Sequence, residues 1–219
     1  MTPKAERTRQ HILETALQLF ASRGYAETTL RDIAQEAGVA TGLAYRYFAR
    51  KEDLALALYE ELSRQVAERT EGLPAGSLGQ RWASVELLRL DAMAPHRRTL
   101  LALVQAALDP EGELGVFSEA TASVRARWRG VHEAVVRGAE PQAPVDPALL
   151  ASTLYGLDLL VVLLWTQDRS PDAATTRAAV AAVAQGLDAS TPLLHLPGAS
   201  AALAHMAQLF QRFTPKEAA

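Results

Sequence analysis

Tyr45, Arg46 and Tyr47 stand in a row, and Lys51 follows close behind. Phenol hydroxyls, a guanidinium and an ammonium at that spacing offer hydrogen bonds and positive charge to a polyanion. They lie within TTLRDIAQEAGVATGLAYRYFARKEDL, residues 28–54. That stretch reads as two short helices, about Thr29 to Ala37 and Thr41 to Phe48, joined by a turn containing Gly38. Gly38 can take the left-handed backbone of an abrupt turn, Val39 can tuck beneath the two helices, and Ala34 is small enough to let them approach. Thr29 followed by Asp32 has the form of a capping box, with Asp in the usual Glu place. Ala44 and Phe48, one turn apart, face a core. That orientation leaves Thr41, Gly42, Leu43, Arg46 and Tyr47 largely outward, with Tyr45 at the flank. Such a helix is shaped to enter a DNA major groove between phosphates. The competing reading is that the same turn joins ordinary antiparallel helices and the tyrosines are half-buried packing residues.

Other chemistries find little support. The chain has no cysteine, which excludes disulfides, thiolate metal sites and cysteine nucleophiles. No G-x-S-x-G, Walker or H-E-x-x-H pattern occurs. Gly72, Gly76 and Gly79 lack the strand context and the lysine of a phosphate loop. The histidines at 11, 96, 132, 195 and 205 show no i, i+3 or i, i+4 pairing of helical metal ligands, so only a site assembled from distant positions stays open. The expectation is no catalytic residue, no metal and no cofactor.

The elements that must position these residues read as helices throughout. Ile12, Leu13, Ala16, Leu17, Leu19 and Phe20 recur at helical spacing before Gly24. Lys51 opens a long helix with Leu54, Leu58, Leu62 and Val66 on one stripe. After the break GLPAGSLG at 72–79, helices are expected at about 80–93, 96–108, 116–138, 147–168, 172–189 and 200–213, separated at prolines. No strand alternation or repeat appears, so the fold class is all-α. Residues 1–51 hold eight Lys/Arg and five Asp/Glu, +3, and the remainder carries −6 to reach the whole-chain −3. A basic front on an acidic body suits a polyanion-binding end. The N-terminus, MTPKAERTRQ, does not read as a signal peptide. The longest unbroken apolar run, Leu159 to Trp165, is seven residues, against the ~18–20 that a membrane span needs. A cytoplasmic protein without a membrane partner is expected.

The segments ILETALQLFASRGYAETTLRDIAQEAGVA and YRYFARKEDL, about residues 11–54, resemble the N-terminal domain of the TetR family of bacterial transcriptional regulators. The resemblance implies an N-terminal helix-turn-helix DNA-binding domain, residues 1–51, and a helical effector-binding and dimerisation domain, residues 52–219. It implies a homodimer on a palindromic double-stranded operator, most simply a repressor released by a small-molecule effector. Tyr45, Tyr47 and Lys51 then look like backbone clamps, joined by Thr29 and Arg31, while Thr41, Gly42, Leu43 and Arg46 occupy the base-reading face. Lys4, Arg7 and Arg9 could extend the contact as an N-terminal arm. Ala40, Thr41 and Leu43-Ala44 depart from the family's usual residues, which leaves the operator sequence open.

By the same resemblance the helices at 147–168 and 172–189 form the dimer interface, through Leu154, Leu157, Val161, Leu164, Ala178, Ala182 and Gln185. Trp82, Trp128, His132, Tyr155 and Asp158, with Trp165 nearby, are the candidates for contacting a largely apolar effector. Asp158 in an apolar segment needs a partner: Arg125, Arg127, Arg129, a water or a cationic ligand. The alternative function is an all-helical carrier or enzyme whose helix-turn-helix-like segment is only structural.

Overall fold

The computed structural model describes residues 2–211. Regular structure in them is helical: α1 Pro3–Arg23, α2 Leu30–Glu36, α3 Thr41–Tyr47, α4 Lys51–Thr70, α5 Leu78–Met93, α6 Arg97–Leu108, α7 Ala122–Arg137, α8 Pro147–Gln167, α9 Ala174–Ser190 and α10 Ala199–Gln211. Single 3-10 turns occupy Ala94–His96, Pro171–Ala173 and Thr191–His195. The all-α class is as expected. The last helix was expected to reach 213, and residues 212 and 213 lie outside the described residues.

Packing divides the chain into two compact units, Met1–Leu62 with Met93–Ala122, and Ser63–Ala92 with Ser123–Ala219. The boundary expected between residues 51 and 52 was drawn by role; packing draws its line within α4 instead. It also returns α6 to the first unit.

In the first unit, α1 begins where the Thr2 side chain accepts a hydrogen bond from the Ala5 amide, with Pro3 preset for the first turn. It stops at Gly24, whose positive φ of 94° ends the helix as its N–H reaches back to Phe20 O. The apolar stripe from Ile12 to Phe20 is buried as its spacing foretold. α6 packs on α1, and the Thr99 hydroxyl donates to Leu17 O at 3.0 Å.

In the second unit α7 starts later than the expected 116. Ser118 and Thr121 hold the preceding segment in turns: the Ser118 hydroxyl donates to Glu113 O at 2.6 Å and the Thr121 hydroxyl to Gly115 O at 2.9 Å. Short hydroxyl side chains offer the backbone this alternative to a helix. α8 buries Leu150, Ala151, Leu154, Tyr155, Asp158, Val161 and Trp165. Its 21 residues have an 18-residue window of mean hydropathy 1.9, long and apolar enough by composition to cross a membrane, although polar residues break its unbroken runs. Within the unit it packs against α9 and α10.

α5 meets α9 where Gly79 sits. A Cβ there would lie 2.0 Å from Ala184 O, while the Gly79 amide donates to Asp188 at 2.6 Å. Gly79→Ala therefore overpacks backbone against backbone and is expected to cost about 1–3 kcal/mol, measurable as a lower denaturation midpoint. Asp168, just past α8, accepts from the Ser170 and Thr176 amides and hydroxyls at 2.6–2.8 Å. Those bonds hold its carboxyl well below the usual range. A depressed folded pKa gives stability that is complete above the unfolded pKa of about 3.9 and is lost as pH falls below it. The stability difference between wild type and Asp168→Asn should accordingly shrink from pH 5 to pH 3 in thermal unfolding; a constant difference would refute this role.

Candidate functional site

The helix-turn-helix is assembled by local bonds. Thr29 caps α2: its hydroxyl accepts from the Asp32 amide at 3.2 Å, and its own amide donates to Asp32 Oδ2 at 2.9 Å. The Thr29 hydroxyl also donates to that oxygen, and together these bonds hold the Asp32 carboxyl below its usual range. After α2 the chain reverses through Gly38 at φ 65°, a left-handed backbone that favours glycine. The Val39 amide reaches Ala34 O at 3.0 Å. His11 on α1 hydrogen-bonds Ala37 O at 3.1 Å, tying the turn to the long helix.

α3 buries Ala44 completely and is followed at once by buried Phe48. The Arg9 guanidinium covers the Phe48 ring at 4.9 Å, so Arg9, proposed for an N-terminal arm, also packs within the protein. Thr41, Gly42 and Arg46 are exposed, Tyr45 is 52% exposed, and Leu43 and Tyr47 are half-buried. Thr29 and Arg31 are exposed at the start of α2.

Lys51 is placed differently from the expected phosphate clamp. Its ammonium donates to Tyr25 O at 3.0 Å and to Ala26 O and Thr28 O at 3.3 Å, and sits 4.4 Å above the Tyr25 ring. An ammonium has three donors, and three carbonyls take them. Lys51 thus locks the start of α4 onto the loop between α1 and α2. Thr29 is similarly occupied by its cap. Nothing in the sequence marked the three carbonyls, because their convergence depends on loop geometry.

The second unit holds a buried polar cluster. Trp82, Trp128, His132, Tyr155 and Asp158, the expected effector contacts, are all buried there. Asp158 pairs with Arg89 on α5, not with Arg125, Arg127 or Arg129 on α7. The Arg89 guanidinium lies 4.2 Å from the Trp128 ring, and Arg127 donates instead to the Ser63 hydroxyl at 2.7 Å. Glu86, one turn before Arg89, is wholly buried beside it, and burial raises its carboxyl to about 7 despite the Arg89 charge. Burial, reinforced by Arg89, lowers His132 to about 3, so its imidazole is neutral. Burial raises the Tyr155 phenol. Donor atoms of Glu86, His132 and Asp158 all lie within 4.8 Å of one another.

Glu86 and Arg89 escaped the sequence reading, yet a signal was present. Trp82, Val85, Leu90 and Met93 are buried, and Glu86 and Arg89 fall on that same helical stripe. Charges at core-facing positions need each other or a partner.

For the expected dimer face the result is mixed. Leu154 and Val161 point into the unit's own core, 0% and 4% exposed. A 21-residue helix apolar on every side shows no stripe from which to choose its inner face. Leu164 is exposed along with Leu160 and Leu163, Leu157 is half-buried, and Ala178, Ala182 and Gln185 on α9 are exposed.

Residues 12–58 match the family model of bacterial regulatory proteins, tetR family. The transcriptional regulator SrpR of Pseudomonas putida is 30% identical over 173 residues, 77% of this chain and 79% of that protein. The chain belongs to the tetR family. AcrR of Shigella flexneri, another transcriptional regulator, is 32% identical over 124 residues; the match covers 53% of this chain and just over half, 57%, of that relative. A solved TetR regulator from Nitrosomonas europaea superposes with TM-score 0.64 over 82% of this chain and 96% of its own, at 21% identity, which shows the shared fold. In this tetR-family chain the helix-turn-helix is therefore the DNA-binding element of a transcriptional regulator.

The buried ion pair can be tested by itself. Arg89→Met leaves Asp158 charged and unmatched, which is expected to cost about 3–5 kcal/mol. Adding Asp158→Leu should restore most of that stability, because a packed apolar pair needs no counter-charge. Chemical denaturation of wild type, single and double variants gives the comparison.

Proposed function

We propose that this regulator is a repressor that binds a palindromic operator as a homodimer and releases it when a small-molecule effector occupies the second unit. The observation that carries the reading is the outer face of α3, where Thr41, Gly42, Tyr45 and Arg46 are open to solvent while Ala44 and Phe48 fix the helix from behind. Thr41, Gly42, Leu43 and Arg46 would read base edges in the major groove, with Tyr45, Tyr47 and Arg31 on the flanking phosphates. Thr29 and Lys51 would act by shaping this surface, given the internal bonds they make. Residues 1–51 would then be the DNA-binding domain and residues 52–219 the effector-binding and dimerisation domain, in the cytoplasm.

Two copies would present their recognition helices about one helical turn, ~34–36 Å, apart. The interface would run along α8 and α9, through Leu157, Leu164, Ala178, Ala182 and Gln185, with Leu160 and Leu163 added. The effector would be met by Trp82, Trp128, His132 and Tyr155, its body largely apolar. Asp158, already paired with Arg89, would order that pocket more than contact the ligand. Release follows from linkage, since an effector that favours a binding-incompetent conformer lowers operator affinity by its differential affinity for the two.

The test is selection of bound duplexes from a random pool, followed by titration of the selected duplex. Arg46→Ala is expected to lower affinity for it by about 1–3 kcal/mol and relax preference at one base position. Equal loss on every sequence would make Arg46 a phosphate contact, and the absence of any salt-dependent duplex binding would overturn the DNA-binding role. Ala182→Arg should give a helical monomer by sedimentation that holds the operator weakly; a variant that stays dimeric refutes this interface.

A further inference from the structure

We infer that Glu86, His132 and Asp158 form a binding site for one divalent transition-metal ion of the zinc class. The three come from α5, α7 and α8, and each is 0% exposed. Each offers a ligand atom, and these atoms lie within 4.8 Å of one another. Ligands at the ~2.0–2.2 Å bonds of a tetrahedral zinc site sit roughly 3.4 Å apart, so modest inward shifts of three side chains close the site.

A second observation points to a ligand. Both ring nitrogens of His132 and both carboxylate oxygens of Glu86 are buried without a hydrogen-bond partner. Buried polar atoms normally find partners, and a ring nitrogen and a carboxylate oxygen left unpaired within 4.8 Å of each other are costly unless something satisfies them. A neutral imidazole offers a lone pair, and a carboxylate offers two oxygens. One nitrogen and carboxylate oxygens are the donor set that zinc-class ions accept.

Two carboxylates offset one divalent cation. Arg89 pairs with Asp158 through Oδ1 and lies 4.2 Å from the Trp128 ring, so Asp158 Oδ2, buried without a partner, can meet a metal while the ion pair stays in place. The site lies within the second unit and is independent of the DNA-binding role.

The experiment is calorimetric titration of the chelator-treated full-length protein with Zn²⁺, repeated with Co²⁺ for its visible absorption. The expected result is one ion per chain in wild type, with a raised thermal midpoint. Glu86→Gln keeps size and removes a buried charge, so it should fold; His132→Gln is its companion. Each is expected to lower Zn²⁺ affinity at least tenfold and to change the Co²⁺ spectrum, whereas His195→Ala and His205→Ala, at exposed positions, should do neither. No uptake by wild type overturns the proposal. So does unchanged affinity in Glu86→Gln, which would place the ion on surface groups. Should His132→Gln fail to fold, Glu86→Gln decides alone.

Discussion

A helix of seven residues does not hold its shape in water, because nucleating a helical turn costs more than so few bonds return. α3 is such a helix, and no side chain caps its start. Its form and direction rest on burying Ala44 and Phe48 behind it. That single constraint sets which residues face outward. With Ala44 and Phe48 inside, Gly42 and Arg46 fall on the opposite side and Tyr45 at the flank by geometry alone, while Thr41 is exposed at the first position of the helix. The supporting bonds serve the same end. The Thr29–Asp32 box fixes the start of α2, His11 holds the turn against α1, and Lys51 gathers three loop carbonyls at the start of α4. A positioned outer face thus comes at little cost in core size.

The second unit is organised by an opposite circumstance, charge placed where water is excluded. Arg89, Asp158, Glu86 and His132 share one buried region, and burial moves Glu86 up and His132 down, each toward its neutral form. A single buried pair is rarely better than packed apolar residues for stability alone. Four ionisable groups in one place therefore argue for recognition there. The buried aromatic side chains Trp82, Trp128 and Tyr155 give that polar centre apolar walls, as a small-molecule site would have.

What could be read from sequence followed from local periodicity and backbone chemistry. The stripe from Ile12 to Phe20, the left-handed turn at Gly38 and the Thr29–Asp32 cap each depend on residues within a turn or two of one another. Arg46 was legible as outward because Ala44 and Phe48 lie one helical turn apart, but Tyr47, read as outward, is half-buried, and Tyr45, read as flanking, is 52% exposed. The rest required contacts between distant segments. The Arg89–Asp158 pair spans α5 and α8, and reading only the arginines of α7 missed it. Lys51 reads from sequence as a phosphate clamp, and its carbonyl partners go unseen there because they belong to a loop whose path the sequence does not spell out. The late start of α7 turned on hydroxyl-to-carbonyl bonds that compete with helix formation.

α8 joins these threads. Its inner face, from Leu150 through Asp158 to Trp165, is filled by its own unit and carries the acid of the buried pair. Its outer face keeps Leu160, Leu163 and Leu164 between 45% and 57% exposed. A membrane would have to accommodate a helix with a carboxylate at mid-length committed to an arginine inside a bundle. A second copy asks for less: exposed leucines beside the small residues Ala178 and Ala182 of α9 permit close helix approach, and apolar area removed from water contributes roughly 25 cal/mol per Å². Burying one face against its own core accounts for the inner apolar stripe of this helix, and the homodimer proposed above would account for the outer one.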